Sequence, residues 1–194
     1  MKRFLAFALA AAMLFALCAC GSLDINQGDG GNDKENYVKP DEDGFAEGRL
    51  GDVMHTKWFD FTINSAYTAD VYESYVPAEG NMMLIVDCTV KNTFNRSTPM
   101  ADIDFQAQWG DDDDYAYATP ITDDGTEEGL PVINDEQLPS LYELAVSEER
   151  TGKLVYEVPA GHKDFSVSFL EYDEEGTEGD LFFVYFTADA AVTA

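Results

Sequence analysis

Six aspartates in two short runs come nearest to a constellation that could do chemistry. They are Asp111, Asp112, Asp113 and Asp114, then Asp123 and Asp124. Glu127 and Glu128 follow the second run. Carboxylates are hard oxygen donors, and calcium takes six to eight such oxygens. Loops carrying these runs could hold calcium, the one cofactor the residue types suggest. The alternative reading of the same residues is a set of solvated acidic turns. Asp24-Ile25-Asn26-Gln27-Gly28-Asp29-Gly30 begins like a calcium loop, with Glu35 at its twelfth position. Gly28 stands where a ligand belongs and Asp29 where a glycine belongs, so that spacing fails. A second set is aromatic. Tyr67, Tyr72 and Tyr75 fall on an acidic connection, where exposed rings could bind a sugar or a basic peptide, or cover one end of the fold.

Residues suited to catalysis are present but not arranged for it. His55 and His162 have no Cys or Glu at metal-ligand spacing, and the chain has no His-Glu-x-x-His, Gly-x-Ser-x-Gly or phosphate-cradling glycine loop. Carboxylates are so frequent that no pair stands out as an acid–base couple. Cys88 lies in Val86-Asp87-Cys88-Thr89, without the basic neighbours that would lower a thiol pKa. It reads as a small buried hydrophobe. The expectation is a protein that is not an enzyme. The chain carries 11 Lys and Arg against 38 Asp and Glu, a net charge of −27. Nucleic acid, which demands a positive surface, is excluded as a partner. Anionic lipid headgroups repel such a chain, and electrostatic steering favours cations or basic surfaces.

The first twenty residues decide the address. Met1-Lys2-Arg3 is basic, Phe4 to Ala19 is apolar and small, and Leu17-Cys18-Ala19-Cys20-Gly21-Ser22 follows. The apolar run is shorter than the roughly 20 residues a membrane span needs. The segment resembles a bacterial lipoprotein signal peptide with its lipobox. That resemblance implies removal of residues 1–19 and a diacylglycerol thioether on Cys20. Two acyl chains anchor stably where one does not. The localisation implied is the extracytoplasmic face of the bacterial cell membrane, with the membrane as partner through Cys20. An ordinary secretory signal cleaved after Ala19 is the rival reading. Cys18, preceded by the large Leu17, is the less suitable lipid site.

Residues 20–48 are rich in Gly, Asp, Asn and Glu, and read as a flexible acidic stalk that cannot offset its ordering entropy. Residues 49–194 read as one domain. Phe59, Phe61 and Ile63 alternate on one face, as do Met82, Leu84, Val86, Cys88 and Val90 against Asp87, Thr89 and Lys91. Such alternation marks half-buried antiparallel strands. Asp52–Met54, Phe105–Trp109, Tyr115–Ala118, Gly152–Val158 and Phe165–Phe169 are further strands. Leu181–Phe186, apolar on both faces, reads as a central strand covered on both sides. Ser140–Glu143 has a capping-box pattern after Pro139, and reads as extended or as one short turn. Thr119–Pro139 is a long loop, of a length that is usually functional or disordered. The fold class expected is all-β, an antiparallel β-sandwich of about eight strands.

Leu84-Ile85-Val86-Asp87-Cys88-Thr89-Val90-Lys91-Asn92 and Thr151-Gly152-Lys153-Leu154-Val155-Tyr156-Glu157-Val158-Pro159 carry a family resemblance, with the Gly51-Asp52 start and Trp58–Ile63. The chain from about Gly51 to Phe186 resembles the immunoglobulin-like domain of unknown function found in many Gram-positive surface lipoproteins. That family is likened to a secreted mycobacterial immunoprotective antigen and to a telomeric-repeat-binding factor. The resemblance implies an immunoglobulin-like sandwich and carries no catalytic residue across. Ser147-Glu148-Glu149-Arg150 replaces the family's usual Pro-Gly-Glu-like turn, which leaves the turn type open. The function expected is a non-enzymatic binding module that takes an envelope protein, peptide or glycan. The alternative is a calcium-stabilised acidic domain with a structural or adhesive role.

Overall fold

A computed structural model describes residues 36–110, 116–122 and 133–190. All of these fall in one compact unit. They hold thirteen strands and a single 3-10 turn, Asp102–Asp104. The strands are β1 (Tyr37–Val38), β2 (Phe45–Arg49), β3 (Val53–His55), β4 (Phe59–Ala69), β5 (Asn81–Asn92), β6 (Thr98–Ala101), β7 (Phe105–Trp109), β8 (Ala116–Ala118), β9 (Leu141–Leu144), β10 (Glu149–Pro159), β11 (Asp164–Tyr172), β12 (Glu178–Thr187) and β13 (Asp189–Ala190). Five strands beyond the expected eight are mostly two to four residues long, too short to show a period in sequence.

One sheet runs β1-β3-β4-β5-β10, with β13 beside the second half of β4. The other runs β2-β12-β11-β7-β8, and β6 and β9 form a separate ribbon. β4-β5-β10 packed over β12-β11-β7 reproduces the A-B-E and G-F-C strands of an immunoglobulin-type sandwich. The two segments that carry the family resemblance are neighbours. β5 and β10 pair antiparallel over their full length, with Cys88 opposite Gly152 and Leu84 opposite Tyr156. Ser147 takes the left-handed conformation, φ 63°, in the turn before β10, and the Glu148 N–H donates to the Ala145 carbonyl at 2.9 Å. Ser140–Glu143 is extended, mostly within β9.

The alternating faces meet in one core. Phe59, Phe61, Leu84, Val86, Cys88, Val90, Leu154, Tyr156 and Val158 from the first sheet close on Phe105, Ala107, Phe165, Val167, Phe169, Phe182 and Val184 from the second. Five phenylalanines share edge-to-face contacts, with centroids 5.0 Å apart for Phe59–Phe169 and 5.4 Å for Phe61–Phe105. This geometry places ring edges on ring faces, the arrangement aromatic quadrupoles favour. Tyr156 is fully buried, and its hydroxyl donates to the Phe105 carbonyl at 3.1 Å.

Three expectations need correction. Phe45–Arg49, placed in the stalk by composition, is a strand that pairs parallel with β12. Ala46 and Gly48 face the core, so two small residues carry a periodicity that composition hid. The stalk boundary at 48 therefore falls inside the folded unit, which also takes in β1. Met83 and Ile85 are as buried as their neighbours on the core side, because Tyr72, Val155 and the half-buried Tyr67, Ile121 and Ile133 cover the outer face of that part of β5. Finally, β12 is central, but it is covered on one side only. Tyr185 remains 36% exposed on the other.

The described ends of the Thr119–Pro139 loop close the β10 edge. Ile121 N–H donates to Val155 O at 2.7 Å, and Leu138 N–H to Lys153 O at 3.0 Å. An uncovered edge strand invites pairing with other chains, and these contacts satisfy it.

Candidate functional site

Alternation along β12 sends Phe182, Val184 and Phe186 inward, and Leu181, Phe183 and Tyr185 outward. The same rule on β11 buries Phe165, Val167 and Phe169, and sends Ser166, Ser168 and Leu170 to the outer side. Strand register then decides which of these meet. Ser166 lies opposite Tyr185 on one side and Gln108 on the other, and Tyr185 lies opposite Arg49. One step along, Ser168 lies between Phe183 and Gln106, with Glu47 beyond Phe183. Tyr117, 57% exposed, stands beside Gln108 on β8.

Side-chain size turns these rows into a trough. The serines of β11 are its floor, Phe183 and Tyr185 one wall, Gln106 and Gln108 the other. Its larger end, about 850 Å³, lies between Arg49, Gln108, Trp109, Asp164 and Tyr185. The smaller, about 300 Å³, continues past Gln106, Ser168 and Phe183 towards Tyr172. Gln108 and Phe183 line both.

The floor is preorganised. Gln108 Nε2 donates to Ser168 Oγ at 2.7 Å, and Ser166 Oγ donates to Gln108 Oε1 at 3.4 Å. The Phe183 and Tyr185 rings lie nearly parallel, 17° apart in a stacked arrangement with centroids at 5.8 Å. The Arg49 guanidinium stands 5.2 Å from the Tyr185 ring, and its Nη1 donates to Gly48 O at 2.9 Å. Partial burial raises the Tyr185 hydroxyl pKa, the Glu47 charge adds to this, and Arg49 opposes it. The phenol is therefore a neutral donor at ordinary pH. Nothing along the chain marked this face, because the Ser-x-Ser of β11 and the Phe-x-Tyr of β12 become wall and floor only through their pairing.

The sequence-derived tyrosines gather elsewhere, over the outer face of the first sheet. Tyr72 is buried on Met83, Ile85 and Val155, and Tyr67 and Tyr75 pack beside it. They cover the outer face of that sheet, not an end of the sandwich. Tyr72 Oη donates to Asn134 Oδ1 at 3.1 Å, and Tyr75 Oη to Glu157 Oε2 at 2.8 Å. Glu157 also accepts from Asn81 and from the Ala78 N–H, and these bonds hold its pKa below the usual carboxylate value.

The calcium ligands expected from sequence, Asp111, Asp112, Asp113, Asp114, Asp123 and Asp124, lie outside the described residues, as does Cys20. Among the described residues, no group of three His, Cys, Asp or Glu is placed to hold a metal ion. His55 Nδ1 contacts Asp60 Oδ1 at 2.5 Å, away from the trough.

One buried polar group has no evident structural use. Asp102, 2% exposed, begins the 3-10 turn after β6, and neither carboxylate oxygen has a well-oriented hydrogen-bond partner among the described residues. The Tyr142 hydroxyl, on the paired strand β9, is orphaned too. Burial pushes the Asp102 carboxyl up to about 7; Asp104 adds to the shift, and the nearby Ile103 N–H opposes it. Burial also raises the Tyr142 phenol and the Cys88 thiol.

The fold and this open face define a β-sandwich domain with one sheet exposed on its outer side. Residues 48–180 match the family described as a domain of unknown function, DUF4352. The match covers more than half of the chain, which belongs to that family. Among solved structures, YcdA, a candidate lipoprotein of Bacillus subtilis strain 168, is similar at 14% identity and TM-score 0.53, over 70% of this chain and 38% of that one. This chain thus spans well under half of that protein's length, and the likeness is one of fold. The YjhA protein of Bacillus subtilis is similar at 18% identity and TM-score 0.47, covering 73% of this chain and 99% of that one. A β-sandwich protein of Clostridium difficile 630 is similar at 13% identity and TM-score 0.41, over 83% of this chain and all of that one. No curated protein matches the chain.

Proposed function

We propose that the chain is a lipid-anchored, non-enzymatic binding module on the extracytoplasmic face of a bacterial membrane, with the trough as its contact surface. The trough carries this reading. A sheet face that serves only as surface has no need of serines fixed by a buried amide beside two parallel rings. The lipobox at Leu17–Cys20 supplies the anchor, and the fold likeness to a candidate lipoprotein agrees with it.

Two measurements test the proposal. Feeding cells an alkyne fatty acid is expected to label the full chain but not its Cys20→Ala variant. Membrane retention of that variant would remove the anchor from the reading. A photo-crosslinking residue at Tyr117, beside the trough, is expected to capture an envelope component. The same residue at Glu149, on the outer face of the first sheet, is the control. Equal yields at the two positions would remove the trough as the contact surface.

A further inference from the structure

The chemistry of the trough narrows what it can hold. The trough follows β11, nine residues at about 3.3 Å each, so its two ends, from Asp164 to Tyr172, lie roughly 26 Å apart along one direction. The backbone groups of β11 between Ser166 and Phe169 are committed to ladders with β7 and β12, so a ligand here cannot add as another strand. It must be read by side chains. Those along the floor and walls are Ser166, Ser168, Gln106 and Gln108, which both donate and accept hydrogen bonds, and the rings of Phe183 and Tyr185. Charges sit towards the ends and rim: Arg49, Glu47, Asp104 and Asp164, of which Asp164 already accepts from Thr187 Oγ1 at 2.6 Å.

We propose that the trough binds a neutral, linear glycan lying along β11. A pyranose offers an apolar C–H face and a rim of hydroxyls that donate and accept. The Phe183 and Tyr185 rings that line the trough match the first, and the serine and glutamine groups match the second. Polyanions are disfavoured by the chain's net charge of −27. A basic peptide would find its carboxylates at the rim, with neutral amides and hydroxyls between them. Small floor residues leave the depth for a sugar ring, and Gln108, only 9% exposed, is already fixed by its serine contacts before any ligand arrives. Preorganisation of this kind lowers the entropic cost of binding.

This inference rests on the reading of the trough as the contact surface. It is tested by calorimetric titration of the full chain, held in a sugar-free detergent. The probes are the β-1,4-linked hexamers of glucose and of N-acetylglucosamine, and a β-1,3-linked glucose hexamer. At least one is expected to saturate below millimolar concentration, and the preferred hexamer separates an acetylated wall-type glycan from a plain glucan. Tyr185→Ala is expected to weaken binding by about tenfold, while Tyr185→Phe, which keeps the ring, stays within about threefold. Ser168→Leu, which fills the floor, is expected to abolish binding with the melting transition retained. Failure of all three hexamers at millimolar concentration, or binding indifferent to Tyr185→Ala, overturns the glycan assignment. Hexalysine binding that is sensitive to Tyr185→Ala overturns it in favour of a basic peptide. Preferential crosslinking at Tyr117 despite either result would leave the contact surface standing and the glycan refuted. Loss of both would refute the two together.

Discussion

Replacing Asp102 with asparagine should change how stability depends on pH, and the size of the change can be worked from the structure. The folded carboxyl titrates near about 7 rather than at the ordinary 3.8, chiefly because it is buried. Above about pH 4 the unfolded chain has lost this proton, while the folded chain keeps it until about pH 7. The unfolded state binds fewer protons in that window, so this group's contribution falls as pH rises and levels off above it. A shift of about three pK units caps the contribution at about 4 kcal/mol. Between about pH 5.5 and about pH 8.5, roughly 2 kcal/mol of that is lost. The amide of the Asp102→Asn variant does not titrate. Glu171, also raised by burial, is common to both proteins, and its slope cancels in the difference; Asp104, raised mainly by its own burial, loses only the repulsion of the Asp102 charge in the variant. Tyr142, Tyr156 and Cys88, all raised by burial, stay protonated in both proteins across this range. Urea unfolding at the two pH values should therefore show the variant gaining about 2 kcal/mol on the wild type as pH rises. In a melt this is about 4–8 °C for a domain of this size. Parallel stability curves would refute the reasoning, and would mean that Asp102 is solvated or paired in the folded chain.

Two further outcomes follow from packing. A Cβ added at Gly152 would lie 2.9 Å from the backbone nitrogen of Leu138, whereas one at Gly48 would meet the flexible Met54 side chain. Gly152→Ala should cost about 1–3 kcal/mol in chemical unfolding, and Gly48→Ala clearly less. A reversal of that order would show that the Leu138 segment yields and the β2–β3 corner does not. Cys88 is fully buried, and its thiol is held up by that burial first and by Asp87 second. An alkylating reagent should leave it unmodified in the folded chain and label it fully in denaturant, read by mass spectrometry. Rapid labelling under native conditions would contradict the core position assigned to β5.

Local alternation was enough to set the all-β class and most of the core. Phe59, Phe61 and Ile63, and Leu84, Val86, Cys88 and Val90, point inward as their spacing requires. A period of two is a property of one strand and needs no knowledge of its neighbours. Where that signal thins, the sequence reading fell short. Phe45-Ala46-Glu47-Gly48-Arg49 buries only Ala and Gly, so its strand resembles a linker in composition. Met83 and Ile85 owe their burial to residues distant in the chain, Tyr72 and Val155 among them.

The acidity and the sandwich class belonged to the sequence alone, since each depends on residue types and spacing within a few positions, and the address proposed for the chain rests on the same kind of signal. The trough belonged to the tertiary structure. Ser166 and Ser168 are unremarked small residues until register sets them between Gln106, Gln108, Phe183 and Tyr185, drawn from strands up to about eighty positions apart. The same holds for Asp102, one aspartate among many in sequence. It becomes a buried carboxyl with no hydrogen-bond partner among the described residues only in the fold, where β6 pairs with β9 beside it. Which side chains share a face is local information. Which faces are left open, and what stands beside what on them, is decided by strand order and register.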